Sequence, residues 1–234
     1  MALVVRAFPV DDRVRVDGFV RELRDRETEA RRFYTGLGVR REAWFFQPHP
    51  TGGGNVVIGV TDVEDPIEPK AVQYAEASDP FSTWFKAHIY ALSGVDPDTA
   101  PMGPLSTVVH DSSNGALPMG SRLIVRAYPL RDHAGLEEFI GELQERPRDT
   151  RGFYDRHGVE EAWFLQKTDD GEIVIAVLAT DDPERVARTF QESQEPFDVW
   201  FKRRVIEVSG VDPEKTPLGP PSEQIYEFVG GRQS

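Results

Sequence analysis

The sequence predicts an α+β protein made of two tandem copies of one βαββαβ unit, and three observations carry that prediction. Residues 3–9 (LVVRAFP) return as residues 123–129 (LIVRAYP), and residues 79–86 (DPFSTWFK) return as residues 195–202 (EPFDVWFK). The repeat length is about 120 residues, long enough for each copy to hold its own core rather than stack as a solenoid element. Apolar residues alternate along the segments read as strands and recur every three or four residues in those read as helices.

Each copy opens on a strand, with Val4, Arg6 and Phe8 on one face and Leu3, Val5 and Ala7 on the other, a layout kept in the second copy. Val16, Phe19, Val20 and Leu23, matched by Leu136, Phe139, Ile140 and Leu143, then form the apolar stripe of a helix. Asp12 or Asp132 stands at its start and Gly38 or Gly158 at its far end. Pro147 is expected to break this helix in the second copy while the first copy reads through. A hairpin follows, residues 42–47 and 55–60 around Gly52-Gly53-Gly54, with its counterpart at 161–166 and 172–178 around Asp170-Gly171. Asp65-Pro66 and Asp182-Pro183 each open a helix with Asp as N-cap and Pro at the first helical position. Another helix starts at Asp79-Pro80 or Glu195-Pro196 and stops at Ser-Gly-Val-Asp-Pro, where Gly94 or Gly210 takes the left-handed cap and proline forbids continuation. A Pro/Gly loop at 101–104 or 217–220 leads to a last strand near 107–110 or 224–228.

The domains so read are residues 1–111 and 122–234, joined by a linker at 112–121 that is mostly small and polar with Gly and Pro. A βαββαβ unit makes a four-stranded antiparallel sheet with helices on one face, the ferredoxin-like layout. Its other face is apolar and needs cover. A second copy supplies that cover if the two sheets pack as a pseudo-dimeric α+β barrel with helices outside. The expected quaternary state is an intramolecular pseudo-dimer, monomeric as a chain.

Composition narrows the function. A net charge of -13 repels nucleic-acid backbones and anionic membranes, so neither is an expected partner. The absence of cysteine rules out disulfides, thiolate nucleophiles and thiolate metal sites. The first residues have no basic region, and Arg6 interrupts their apolar run, so no signal peptide or membrane span is read there. The expected location is cytoplasmic.

With residues 44–47 (WFFQ), the Asp-Pro-Phe-x-x-Trp-Phe-Lys signature and Ser-Gly-Val-Asp-Pro, the chain resembles an uncharacterised bacterial family of the dimeric α+β barrel superfamily over nearly all of both halves. That superfamily includes cofactor-independent aromatic-polyketide monooxygenases, polyketide cyclases, muconolactone isomerases and haem-handling proteins. The resemblance implies a pocket between sheet and helices.

Candidate residues follow from the faces. On the helix from Pro80, His88 shares a stripe with Phe81, Trp84, Phe85 and Leu92, and its counterpart is Arg204 beside Phe197, Trp200 and Phe201. His88 suits a general acid or base, or a haem ligand, and Arg204 suits an anion or enolate stabiliser. The structural alternatives are a hydrogen-bonded core histidine and an arginine reaching solvent along its stem. Arg6 and Arg126 suit a substrate carboxylate or phenolate, or else cross-strand ion pairs with Glu42 and Glu161. Gln47 and Gln166, opposite in face to Trp44 and Trp163, suit a ligand carbonyl or a neighbouring backbone group. Trp84, Trp200 and Tyr128 are read as further substrate contacts, with aromatic core as the alternative. Gly52-Gly53-Gly54 lacks the Lys-Ser/Thr of a phosphate loop. His49, His110, His133 and His157 lack metal-ligand spacing, so no metal is expected.

Two functions compete. One is a small-molecule enzyme without an organic cofactor, abstracting a proton, cyclising or oxygenating an aromatic or polyketide-like substrate, with His88, Arg204 and Arg126 as catalytic residues. The other is a non-catalytic binding or interaction module with a fully packed core. A haem protein is a third reading, disfavoured because one copy alone carries the histidine and no attachment motif accompanies it.

Overall fold

A computed structural model describes residues 2–113, 118, 120–216 and 218–231. Residues 114–117 and 119 of the expected linker, and Pro217 of the second Pro/Gly loop, lie outside the described residues. The chain is α+β. Its first half runs β1 (Ala2–Val10), α1 (Arg13–Asp25), α2 (Glu27–Gly36), β2 (Val39–Pro48), β3 (Asn55–Val63), α3 (Ile67–Glu76), α4 (Pro80–Ser93) and β4 (Ser106–Asp111). Its second half runs β5 (Arg122–Leu130), α5 (His133–Glu145), α6 (Pro147–His157), β6 (Glu160–Thr168), β7 (Gly171–Thr180), α7 (Pro183–Glu192), α8 (Pro196–Ser209) and β8 (Glu223–Val229). The strands form two four-stranded antiparallel sheets, as fits a tandem duplication.

The expectation that each repeat keeps its own four strands does not hold. The sheet orders are β1-β3-β2-β8 and β4-β6-β7-β5, so the last strand of each repeat belongs to the other repeat's sheet. The first compact unit accordingly runs to Leu105 and resumes at Glu223, and the second spans Ser106–Ser222. In unit 1, β8 pairs with β2, placing Tyr226 opposite Trp44 and Phe228 opposite Glu42. Arg13 holds Glu223 at 3.0 Å, Arg24 donates to the Ile225 carbonyl at 2.6 Å, and Arg41 donates to Glu227 at 2.9 Å. In unit 2, β4 pairs with β6, placing His110 opposite Trp163. Both strands give a central aromatic strand the second neighbour that its backbone donors and acceptors require.

The first helical region is broken in both copies, not in the second alone. Arg26 leaves helical geometry between α1 and α2 without a proline, as Arg146 does before Pro147. The two breaks share their surroundings: Arg26 lies 4.4 Å from the Trp84 ring, and Arg146 lies 4.7 and 4.6 Å from Phe197 and Trp200. Asp12, Asp132, Asp79 and Asp182 cap their helices as expected. At α3 the expectation fails by one residue, because Pro66 itself is the N-cap and no side chain caps the helix. Gly94 and Gly210 take the left-handed cap, at φ 69° and 72°.

The repeated lysine also has a structural task. Lys86 is buried and donates to the carbonyls of Ala75 and Ala77 at the end of α3 and to Asp98. Lys202 does the same at the end of α7 with Gln191 and Ser193. Each fixes a helix C-terminus whose carbonyls lack intrahelical partners.

Candidate functional site

In unit 1 the helix-facing side of the sheet does not close onto the helices. Val4, Arg6 and Phe8 of β1, Glu42 and Trp44 of β2, and Gly59 and Thr61 of β3 line a cavity of about 220 Å³. Alternation along the strands dictates this set, since every second residue points the same way. Tyr34 of α2, Lys70 and Tyr74 of α3, Phe85 of α4 and Met102 complete the wall. The lining is mostly apolar with a few polar groups, the usual make-up of a ligand pocket.

Glu42 is the polar centre. It is 8% exposed and accepts a hydrogen bond from the Trp44 indole at 2.6 Å. Burial pushes its carboxyl up to about 7, opposed by hydrogen bonds from Thr61 and Trp44. A carboxyl so placed exists in both protonation states near neutrality and suits proton transfer. Tyr34 lies above the sheet with its hydroxyl buried and stacks on Phe228, while its polar neighbour Tyr226 falls outside ordinary hydrogen-bond geometry. Burial raises both phenols, Tyr226 to about 12, so both stay neutral donors.

Unit 2 carries the same frame in a tighter form. Its cavity is about 80 Å³, lined by Tyr128, Glu161, Trp163, Ala176, Leu178, Val186 and Phe190 among others. Register identifies the changes: Arg6 faces Gly59 where Arg126 faces Ala176, and Glu42 faces Thr61 where Glu161 faces Leu178. On the overlying helix, Tyr74 and Phe190 hold the same place, each beneath its buried lysine at 5.5 and 5.7 Å. One turn earlier stand Lys70 and Val186. Glycine, threonine, lysine and tyrosine thus become alanine, leucine, valine and phenylalanine, so unit 2 is filled and less polar. Glu161 is also raised by burial to about 7, opposed by hydrogen bonds from Trp163 and Tyr154. The Tyr154 hydroxyl meets His110 Nε2 at 2.8 Å, and burial lowers that imidazole to about 4.

Of the residues singled out from sequence, Arg6 and Tyr128 line cavities. Arg6 donates to the Met102 carbonyl, and burial depresses its guanidinium. Tyr128 donates to the Leu218 carbonyl at 2.7 Å. The expected ion pairs of Arg6 with Glu42 and of Arg126 with Glu161 do not form. Arg126 turns instead to the Ser222 hydroxyl at 2.5 Å and its carbonyl at 3.3 Å. His88 lies outside the cavity lining. It stacks on Phe19 at 5.0 Å, donates from Nδ1 to the Trp84 carbonyl at 2.9 Å, and approaches Glu22 at 3.6 Å. Arg204 is held among Glu138, Glu142 and Glu207, also away from the unit 2 cavity. Trp84 and Trp200 pack under the arginines that break the first helical region rather than lining a cavity. Gln47 and Gln166 are fully buried on the sheet face opposite Glu42 and Glu161. Among the described residues no cluster of three or more His, Asp or Glu has the arrangement of a metal site.

Glu42 and Glu161 were visible in the sequence as charges inside apolar strands, two residues before a tryptophan on the same face. Tyr226 and His110 were not, because their strands sit in the opposite repeat's sheet.

No protein-family model matches the chain, and no curated protein matches it. Among solved structures, one described as "putative monooxygenase from Lactobacillus acidophilus NCFM" aligns over 99% of this chain and 98% of its own, at 9% identity and a TM-score of 0.47.

Proposed function

We propose that the protein is a small-molecule enzyme whose reaction begins with proton transfer at Glu42 in the unit 1 cavity, while unit 2 serves as a packed counterpart. The observation that carries this reading is a buried carboxyl, poised near neutrality, opening into a largely apolar cavity. An aromatic substrate with an acidic C–H fits that environment. The carboxylate takes the carbon-bound proton, the electron pair moves onto the adjacent carbonyl oxygen, and Glu42 returns the proton at carbon or oxygen. Such enolisation is the opening step shared by isomerisation, cyclisation and oxygenation of polyketide-like compounds. Tyr34 and Tyr74, neutral phenols in the same wall, are suited to donate to the developing enolate oxygen.

The test is hydrogen–deuterium exchange at the acidic carbon of an aryl β-diketone in D2O, followed by NMR. The expected rate rises with pH through about 7 and falls at least a hundredfold in Glu42→Gln. Filling the cavity to the unit 2 pattern, Gly59→Ala with Thr61→Leu, is expected to abolish exchange as well. A β-carbon at Gly59 meets the Arg6 carbonyl, the Glu42 carboxyl and Phe8 at no less than 3.9 Å, so the Gly59→Ala change fits without strain. Unchanged exchange in Glu42→Gln overturns the assignment.

A further inference from the structure

The unit 1 cavity has a size, a shape and a charge, and each restricts its guest. Its volume is about 220 Å³, against about 80 Å³ in unit 2. An apolar cavity of about 150 Å³ is enough to bind benzene. Pockets for drug-sized ligands begin at about 300 Å³. The unit 1 cavity lies between these marks, at roughly one and a half times the benzene cavity, about the ratio by which two fused rings exceed one. The unit 2 cavity is too small for a single ring.

The elements set the shape. Phe8 and Trp44 stand on the sheet, and Phe19, Phe33 and Phe85 stand on the helices, so aromatic rings line the cavity from both sides. Phe19 lies 5.6 Å from both Trp44 and Phe85, and Phe33 lies 5.1 Å from Phe85, so these rings brace one another. Walls of this kind favour a flat aromatic guest, which meets them in offset or edge-to-face contact. The charged side chains of the lining are Arg6, Lys70 and Glu42. Arg6 is taken by the Met102 carbonyl. The Lys70 ammonium and the Glu64 carboxylate flank Gly38 together, 2.9 and 3.2 Å from where a β-carbon on that glycine would stand, which turns the lysine charge toward a neighbouring acid. Glu42, once ionised, repels an anion. The lining therefore offers no field of one sign, and an ion entering it would lose its hydration without a matched partner.

We infer that the unit 1 cavity takes one uncharged bicyclic aromatic ketone per chain, and that the unit 2 cavity takes none. This rests on reading the unit 1 cavity as a substrate site, and it adds the size and charge of the substrate. The fused rings lie between the sheet and helix aromatics, and the ketone supplies the acidic C–H on which Glu42 acts.

Equilibrium dialysis against aryl methyl ketones of one, two and three fused rings tests the inference: acetophenone, 2-acetylnaphthalene and 2-acetylanthracene. The expected result is saturable binding of 2-acetylnaphthalene at one molecule per chain, at least tenfold tighter than either neighbour in the series. Its anionic analogue 2-naphthoate is expected to bind at least tenfold more weakly than the ketone in mildly alkaline buffer. Gly59→Ala/Thr61→Leu is expected to weaken 2-acetylnaphthalene at least tenfold and to change acetophenone less. Equal or tighter binding of the three-ring ketone overturns the size assignment while sustaining the cavity as a binding site. Equal or tighter binding of 2-naphthoate overturns the charge assignment in the same way. Two molecules per chain, or wild-type affinity in the filled variant, overturns the placement in unit 1. Absence of saturable binding by all three ketones overturns both this inference and the substrate-site reading. The ring preference found without deuterium exchange at Glu42 sustains the inference and counts against the proton-transfer reading alone.

Discussion

Glu42 and Glu161 show how a single side chain gains chemistry from its surroundings. A carboxyl ordinarily titrates near 4.5, and in each unit burial outweighs two hydrogen bonds and carries it to about 7. The folded protein therefore binds more protons than the unfolded chain between those values, and stability falls as pH rises from about 4.5 to 7. Each carboxyl costs roughly 3 kcal/mol of stability above pH 7 from a shift of that size. Glu42→Gln keeps the acceptor for the Trp44 indole and removes the charge. It is expected to leave the melting temperature near wild type at pH 4 and to raise it at pH 8; an equal shift at both pH values counts against a raised carboxyl. His110 works in the other direction, because an imidazole lowered by burial to about 4 withholds a proton that the unfolded chain accepts. Its contribution is present above the unfolded value and is lost as pH falls through the window from 6.5 to about 4. In the sequence Glu42 was read only as a partner for Arg6, since alternation reports which face a residue occupies but not which atoms meet across that face. The same limit applies to His88, correctly read as sharing a stripe with aromatics, yet placed at the stripe's outer margin on Phe19.

The helices over the two sheets differ more than their sequences suggest. In unit 2, α7 seats Val186 and Phe190 in the core, whereas α3 in unit 1 has no buried residue and is held at its end by Lys86. Loose seating of α3 is what leaves the unit 1 cavity open. Lys86→Met removes three hydrogen bonds and leaves the helix-end carbonyls short of donors, a loss of roughly 1–3 kcal/mol. The expected outcome is faster amide exchange across α3 with little change in α7; unchanged protection of residues 67–76 counts against the clamp. The repeated Asp/Glu-Pro-Phe-x-x-Trp-Phe-Lys motif is thereby explained as folding hardware. Pro opens the helix, Phe85 and Phe201 enter the core, and the lysine fastens the preceding helix. Caps and stops were legible because they depend on neighbouring residues. The break at Arg26 was not, because no proline or glycine marks it, and the ring that Arg26 packs on, Trp84, lies 58 positions further along the chain.

For the molecule as a whole, the exchanged strands mean that each unit draws on both repeats, unit 1 from the two ends of the sequence and unit 2 from its continuous middle. Tyr226 reaches Trp44 and His110 reaches Tyr154 only through that exchange. Because the chain has no cysteine, a cysteine pair reports the topology without interference. Ala43→Cys with Glu227→Cys joins directly opposed residues of β2 and β8 and is expected to form an intramolecular disulfide on mild oxidation. Ala162→Cys with Glu227→Cys, the pair a self-contained second repeat would oppose, is expected to stay reduced. The reverse result overturns the exchange.

Element type, order, caps and the duplication were readable from local chemistry, because periodicity, proline and glycine act over a few residues. Strand partnership was not, since β4 and β8 offer equivalent edges to equivalent strands, and nothing local to either strand favours its own repeat. The candidate site shared that fate. Its members were each visible as a residue type on a face, but the difference between an open cavity at Glu42 and a filled one at Glu161 depends on four substitutions drawn from two elements. Those substitutions act together only once packing brings Gly59, Thr61, Lys70 and Tyr74 into the wall of one cavity.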